Sequence, residues 1–157
     1  MRTPKLRELK EALTSLFSKP YTVKFPYGPS IPPEEFRGKP KFVEEECIGC
    51  GACAQVCPGR AIDVTDVVSG NTGKRKLTVH YDHCIFCGQC QRYCTTEKGI
   101  VLTNDYDTPT YDRTQAVSEV EKNLVICEHC GAVVGTEDHI RWVARKLGTK
   151  AYAHLGL

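Results

Sequence analysis

"CIGCGACAQVCP", residues 47–58, and "CIFCGQCQRYCT", residues 84–95, are one pattern written twice. Both read C-I-x-C-G-x-C-x-x-x-C, so eight of the chain's ten cysteines fall into two blocks of identical spacing. Cysteine usage this high means either a secreted disulfide framework or thiolate ligation of metal. The N-terminus argues against secretion. "MRTPKLRELKEALTSLF", residues 1–17, interrupts its apolar residues with charges every few positions, leaving no continuous apolar segment and no cleavage site. Nor does any run of about 18 apolar residues offer a bilayer span. A reducing compartment is the expectation, with any membrane association supplied by a partner or a surface helix. The formal net charge of +2, from 21 basic and 19 acidic side chains, gives no overall field that would favour nucleic acid.

The spacing selects the metal. C-x2-C-x2-C-x3-C is the run of bacterial two-cluster ferredoxins, in which the fourth cysteine of each block ligates the other cluster. Three cysteines at this spacing wrap a tight turn over three corners of a [4Fe–4S] cube. Gly51 and Gly88 let the backbone approach the inorganic sulfides. The fourth cysteine begins a short helix and reaches the neighbouring cube. Cluster one is therefore assigned to Cys47, Cys50, Cys53 and Cys94, and cluster two to Cys84, Cys87, Cys90 and Cys57. Structural zinc prefers two C-x2-C pairs split by a longer loop, a poor match to a triple run occurring twice. The blocks differ after the fourth cysteine: Pro58 follows Cys57, whereas Thr95 and Thr96 follow Cys94. The difference reads either as drift in a surface turn or as a threonine hydrogen bond near the sulfur of Cys94 that raises the potential of cluster one.

Outward from the blocks, the fold class expected is α+β: a bacterial two-[4Fe–4S] ferredoxin-like core over 41–103, preceded by a helix and strap over 1–40 and followed by an extension over 104–157. "AIDVTDVV" and "KRKLTVHY", residues 61–68 and 74–81, alternate as two strands of a hairpin around "SGNTG". Residues 4–17 read as an amphipathic helix with Thr3 as cap, Pro4 in the first position and Leu6, Leu9, Leu13, Leu16 and Phe17 on one stripe. Six of the nine prolines fall between positions 20 and 40, so this stretch is either an extended strap laid on another surface or a loose linker. "TQAVSEVEKNL", residues 114–124, reads as a short helix. "TEDHIRWVARKLG", residues 136–148, reads as a clearer one, with Ile140, Val143, Ala144 and Leu147 on one face.

The string "FPYGPSIPPEEFRGKPKFVEEECIGCGACAQVCP", residues 25–58, resembles the entry to the two-cluster subunit of respiratory complex I and of the membrane-bound energy-converting [NiFe] hydrogenases. In that family an N-terminal helix and a proline-rich strap lead to an R-G-[RK] element, and Phe36, Arg37, Gly38 and Lys39 stand there in this sequence. The resemblance covers residues 1 to 103. It implies an electron wire with no catalysis by the isolated chain, peripheral on the cytoplasmic side of the cell membrane. The implied partners are a cluster-bearing small subunit and membrane-arm subunits. A free soluble ferredoxin and a zinc-binding interaction module are the alternatives from other classes; the first leaves the flanking sequence unexplained. No G-x-S-x-G, P-loop or dinucleotide fingerprint is present.

Two cysteines remain in "LVICEHCG", residues 124–131. Cys127, Cys130 and the helix after them resemble the extension of the formate hydrogenlyase iron–sulfur subunit, where a second C-x2-C completes a zinc-ribbon-like site. That second pair is missing here. The open readings are a zinc knuckle completed by His139, or by His129 or His154; ligands from a partner or a further tail; and free structural thiols. On any of them the knuckle is expected to lie outside the electron path.

Overall fold

The structure, a computed structural model, describes residues 5–70, 72–148 and 150. The chain divides into two compact units, residues 1–33 and 34–157. In the first, α1 (Leu6–Phe17) carries the expected apolar stripe, and none of its residues is buried: Leu6 and Phe17 are each 86% exposed. Thr3 and Pro4, expected to open this helix, lie outside the described residues. No helix or strand forms from Ser18 to Lys39.

In the second unit, β1 (Pro40–Phe42) pairs antiparallel with β4 (Ile100–Leu102), joining the start of the cysteine-rich region to its end. Between them run α2 (Ala52–Gln55), the hairpin of β2 (Ile62–Ser69) and β3 (Thr72–His80), and α3 (Gln89–Arg92). The hairpin forms as the alternation predicts, with Ile62 opposite Val79 and Ser69 opposite Thr72. Its sheet does not stop there. β5 (Val117–Ile126) pairs along β3, and β6 (Val133–Thr136) pairs with β5, giving the antiparallel order β2-β3-β5-β6. α4 (Glu137–Leu147) follows β6 directly, where the sequence placed it.

β5 replaces the short helix read over 114–124. Val117, Val120 and Leu124 mimic helical spacing, but the inward positions of the strand are Ser118, Val120, Lys122, Leu124 and Ile126. Two polar residues, Ser118 and Lys122, stand on the inner face and conceal the period-two pattern. Both make specific bonds there: the Ser118 hydroxyl accepts from the Phe42 N–H, and the Lys122 ammonium donates to the Glu44 carbonyl at 2.7 Å. The helix expected of the extension is α4 alone.

The core is small: Phe42, Ile62, Leu77, Val79, Ile100 and Val120, with buried Cys47 and Cys53 among them. Cys57, Cys90 and Cys94 pack half-buried against it. Cysteine thus supplies a large part of the interior, so whatever the thiols bind contributes to holding the unit together.

Candidate metal centre

The two cysteine loops are built alike. Gly51 and Gly88 take left-handed φ of 78° and 77° and serve as N-caps of α2 and α3. That turn sets three cysteines of each block around a hollow, and the four-residue helix then carries the chain outward. Cys47, Cys50, Cys53 and Cys94 line one cavity, walled by Phe42, Leu77 and Ile100. Cys57, Cys84, Cys87 and Cys90 line a second, walled by Pro40, Ile62 and Val79. The structure thus brings the eight cysteines together in the two crossed sets of four that the spacing predicts.

The chemistry of these donors can be tested against a cluster. Burial pushes the Cys53 thiol up to about 12, and the neighbouring Cys47 and Cys50 add to the shift. Burial likewise takes Cys90 to about 11, with Cys84, Cys87 and Cys57 adding like-charge repulsion. Four thiolates in an apolar hollow repel one another and have lost their water, so they ionise together only around a polycationic centre. Such a set fits an iron–sulfur core. Backbone and hydroxyl donors stand ready for the negative sulfurs: Ala61 N–H to Cys57 Sγ at 3.3 Å and Phe86 N–H to Cys84 Sγ at 3.4 Å.

The threonines after Cys94 do make sulfur contacts. Thr95 Oγ1 lies 3.2 Å from Cys50 Sγ, and Thr96 Oγ1 lies 3.5 Å from Cys94 Sγ. Thr96 has one proton and a closer acceptor in the Glu46 carbonyl at 2.9 Å, so Thr95 is the cleaner sulfur donor. At Cys94 burial opposes ionisation, but hydrogen bonds from the N–H groups of Thr96, Gly99 and Ile100 help hold the thiol below its ordinary value.

The segment leading into the core docks beside the second cavity. Arg37 donates to the Cys87 carbonyl at 3.3 Å, and Phe36 meets Tyr106 edge-on with ring centroids 6.3 Å apart. Gly38 N–H bonds the Thr103 carbonyl at 2.9 Å, and Lys39 pairs with Asp105 at 3.0 Å. Gly38 has no room for a side chain, since a Cβ would collide with the carbonyls of Thr103 and Asp105.

Cys127 and Cys130 occupy the turn joining β5 to β6. Cys127 N–H bonds the Ala132 carbonyl, and Gly131 N–H bonds back to the Cys127 carbonyl, both at 2.9 Å. The N–H groups of Cys130 and His129 donate to Cys127 sulfur and hold that thiol below its usual value. Among the described residues no third His, Cys, Asp or Glu closes on the pair. His139 is in the first turn of α4, and His154 lies outside the described residues.

Three residues with contacts to the first cysteine loop were not legible as site residues: Arg75, Lys122 and Thr136. Arg75 reaches the Gly49 carbonyl at 3.2 Å, Lys122 the Glu44 carbonyl, and Thr136 the Ile48 carbonyl. The only sequence signal was a charged or hydroxyl residue at an inward strand position.

Comparison with known proteins agrees with this geometry. Residues 46–98 match the 4Fe-4S dicluster domain. NAD(P)H-quinone oxidoreductase subunit I of Gloeobacter violaceus is 39% identical over 98 residues, 60% of this chain and 46% of that protein. NADH-quinone oxidoreductase subunit I 2 of Geobacter metallireducens is 28% identical over 130 residues, 79% of this chain and 98% of that one. The chain spans about half the length of several of the curated relatives it matches. Among solved structures, a chain of the membrane-bound sulfane sulfur reductase, an archaeal respiratory membrane complex, superposes with a TM-score of 0.52 at 29% identity, covering 74% of this chain and 61% of that one. The residues that match the 4Fe-4S dicluster domain are those that carry both cysteine blocks, and the relatives are subunits I of quinone oxidoreductases and a chain of a respiratory membrane complex.

Proposed function

We propose that this chain, a homologue of quinone oxidoreductase subunit I built on a 4Fe–4S dicluster domain, is an electron-transfer subunit of a complex I-like membrane-bound respiratory or hydrogenase complex. The observation that carries the reading is the crossed pair of four-cysteine cavities. Bound clusters would supply one-electron carriers. Cys47, Cys50, Cys53 and Cys94 hold one, and Cys57, Cys84, Cys87 and Cys90 the other. The protein's own work is to position and insulate them. Leu77, Val79, Ile62 and Ile100 exclude water, and the N–H and hydroxyl donors at sulfur favour the more negative state. Because α2 and the residues just past it lead Cys53 to one cavity and Cys57 to the other, and α3 does the same with Cys90 and Cys94, the two centres are joined by short stretches of one backbone.

Among the described residues no helix is long and apolar enough to cross a membrane. Peripheral attachment on the cytoplasmic side is the arrangement proposed, with membrane-arm and cluster-bearing sister subunits as partners. The exposed apolar stripe of α1 supports it. At the β5–β6 turn, the preformed N–H donors to Cys127 favour a zinc knuckle whose remaining ligands come from His139, from another stretch of this chain or from a sister subunit.

Metal and acid-labile sulfide analysis of anaerobically isolated protein tests the reading. Four irons for each of two clusters and two interacting paramagnets on reduction are expected. Stoichiometric zinc without iron would overturn it. Co-isolation with membrane subunits is the expected behaviour of the native protein, and a lone soluble species would turn the assignment to a diffusing ferredoxin.

A further inference from the structure

Arg75 on β3 and Lys122 on β5 are direct cross-strand partners. Like charges in that relation are destabilising, and these two are held largely out of water, with side chains 18% and 12% exposed. Each has a carboxylate on its far side. Asp66 grips Arg75 through two bonds of 2.7 Å, and Asp138 meets Lys122 at 3.0 Å. The row Asp66–Arg75–Lys122–Asp138 runs beneath the loop that begins the first cysteine block.

Four side chains in this region donate to that loop's carbonyls. Lys122 takes Glu44, Thr96 takes Glu46, Thr136 takes Ile48 and Arg75 takes Gly49. In the second block, Arg37 on the Cys87 carbonyl is the comparable contact. The two repeats also differ at one residue for a matching reason. Gly49 has φ of 66°, and its counterpart Phe86 has a similar left-handed φ of 54°, so the backbone alone does not demand glycine. At Gly49 an added Cβ would sit 2.8 Å from Thr136 Cγ2 and 3.1 Å from Lys122 Cγ. Glycine stands there because β5 and β6 press onto this loop.

We infer that Lys122 and Thr136, with Arg75, are positioning residues that raise the reduction potential of the cluster held by Cys47, Cys50, Cys53 and Cys94, an inference that rests on the two-cluster reading above. Uptake of an electron makes that cluster more negative, and two largely buried cations lie beside its loop. Thr136 acts through one peptide unit. Its hydroxyl donates to the Ile48 carbonyl, and the N–H of the same peptide belongs to Gly49, two residues past Cys47 in the cluster loop. A hydrogen bond at one end of a peptide polarises the other end and strengthens its donation. The C-terminal extension, outside the dicluster domain, is on this account part of the redox machinery.

The test is a redox titration of the full-length, cluster-loaded chain followed by EPR, comparing Thr136→Val and Lys122→Met with wild type at equal iron content. One reductive step should move to lower potential while the other stays. At the wild-type midpoint of that step, the ratio of reduced to oxidised cluster should fall about two- to fivefold in Thr136→Val and further in Lys122→Met. Thr136→Ser and Lys122→Arg should restore it. If Lys122→Met loses iron, Thr136→Val, which keeps side-chain volume and every backbone bond, decides the matter. Both steps unmoved, or both moving together, would overturn the inference. Absence of clusters from the wild-type chain would instead remove the two-cluster reading on which it stands.

Discussion

Cys53 lies within α2 and Cys57 just past its C-cap, yet the first lines one cavity and the second the other. This places neighbours in sequence on different clusters. Cys57→Ser should therefore resemble Cys84→Ser, Cys87→Ser or Cys90→Ser in its EPR spectrum, and differ from Cys53→Ser. The cluster in the altered cavity is left with three thiolates and should lose about one iron. A Cys57→Ser spectrum matching that of Cys53→Ser would refute the crossed assignment.

Gly38 threads between the carbonyls of Thr103 and Asp105. Gly38→Ala has to displace backbone and break the Gly38–Thr103 bond, at a cost of roughly 1–3 kcal/mol. The expected result is a lower urea midpoint for loss of the visible cluster absorbance. Cluster two should be lost first, because Arg37 beside Gly38 bonds the Cys87 carbonyl.

The Arg75 guanidinium, through its hydrogen bonds, holds the Asp66 carboxyl below its ordinary value. A depressed folded-state value means the pair contributes fully above the unfolded carboxylate pKa, near ~3.9, and fades only as pH falls through the lower folded value. Asp66→Asn should cost about 1 kcal/mol. The cost should stay constant between about pH 5 and pH 8, where Asp66 is ionised in both states. Urea denaturation of wild type and variant at several pH values reads it directly. A difference that tapers within that window would contradict the linkage.

Replacing Cys127 and Cys130 together by serine should leave both cluster signals and the iron content unchanged, since neither lines a cavity. If the knuckle binds zinc in the native assembly, the same variant should lose about one zinc per chain. Metal analysis beside EPR separates the two readouts. Loss of iron would mean that the turn supports cluster one through β5 and β6 more strongly than expected.

The two groups of four cysteines that line the cavities were legible because their spacing is a geometric constraint: three thiols wrapped on one tight turn leave little freedom. The β2–β3 hairpin and α4 were legible because each keeps a period, two in Ile62 and Val64 against Asp63 and Thr65, and helical in Ile140, Val143 and Leu147. β5 was not, and the reason is specific. Lys122 and Ser118 sit on its inner face to bond the first block and β1, so the residues that make the strand useful also erase its pattern. Arg75 was hidden in the same way, as one basic residue in "KRKLTVHY". Nothing local distinguishes it from Lys74 and Lys76, which pair with Glu121 and Glu119 in far more exposed positions.

The pairing of β5 along β3 also governs how the chain can be cut. The dicluster domain ends near residue 98, but β3 is an interior strand, bonded by β2 on one side and β5 on the other. A fragment ending at the domain boundary would leave the β5-facing N–H and C=O groups of β3 between Gly73 and His80 unpaired along a free edge. Such an edge is a template for pairing with another copy. The minimal ferredoxin excised from this protein is thus expected to self-associate, and the shortest well-behaved unit to run through β6.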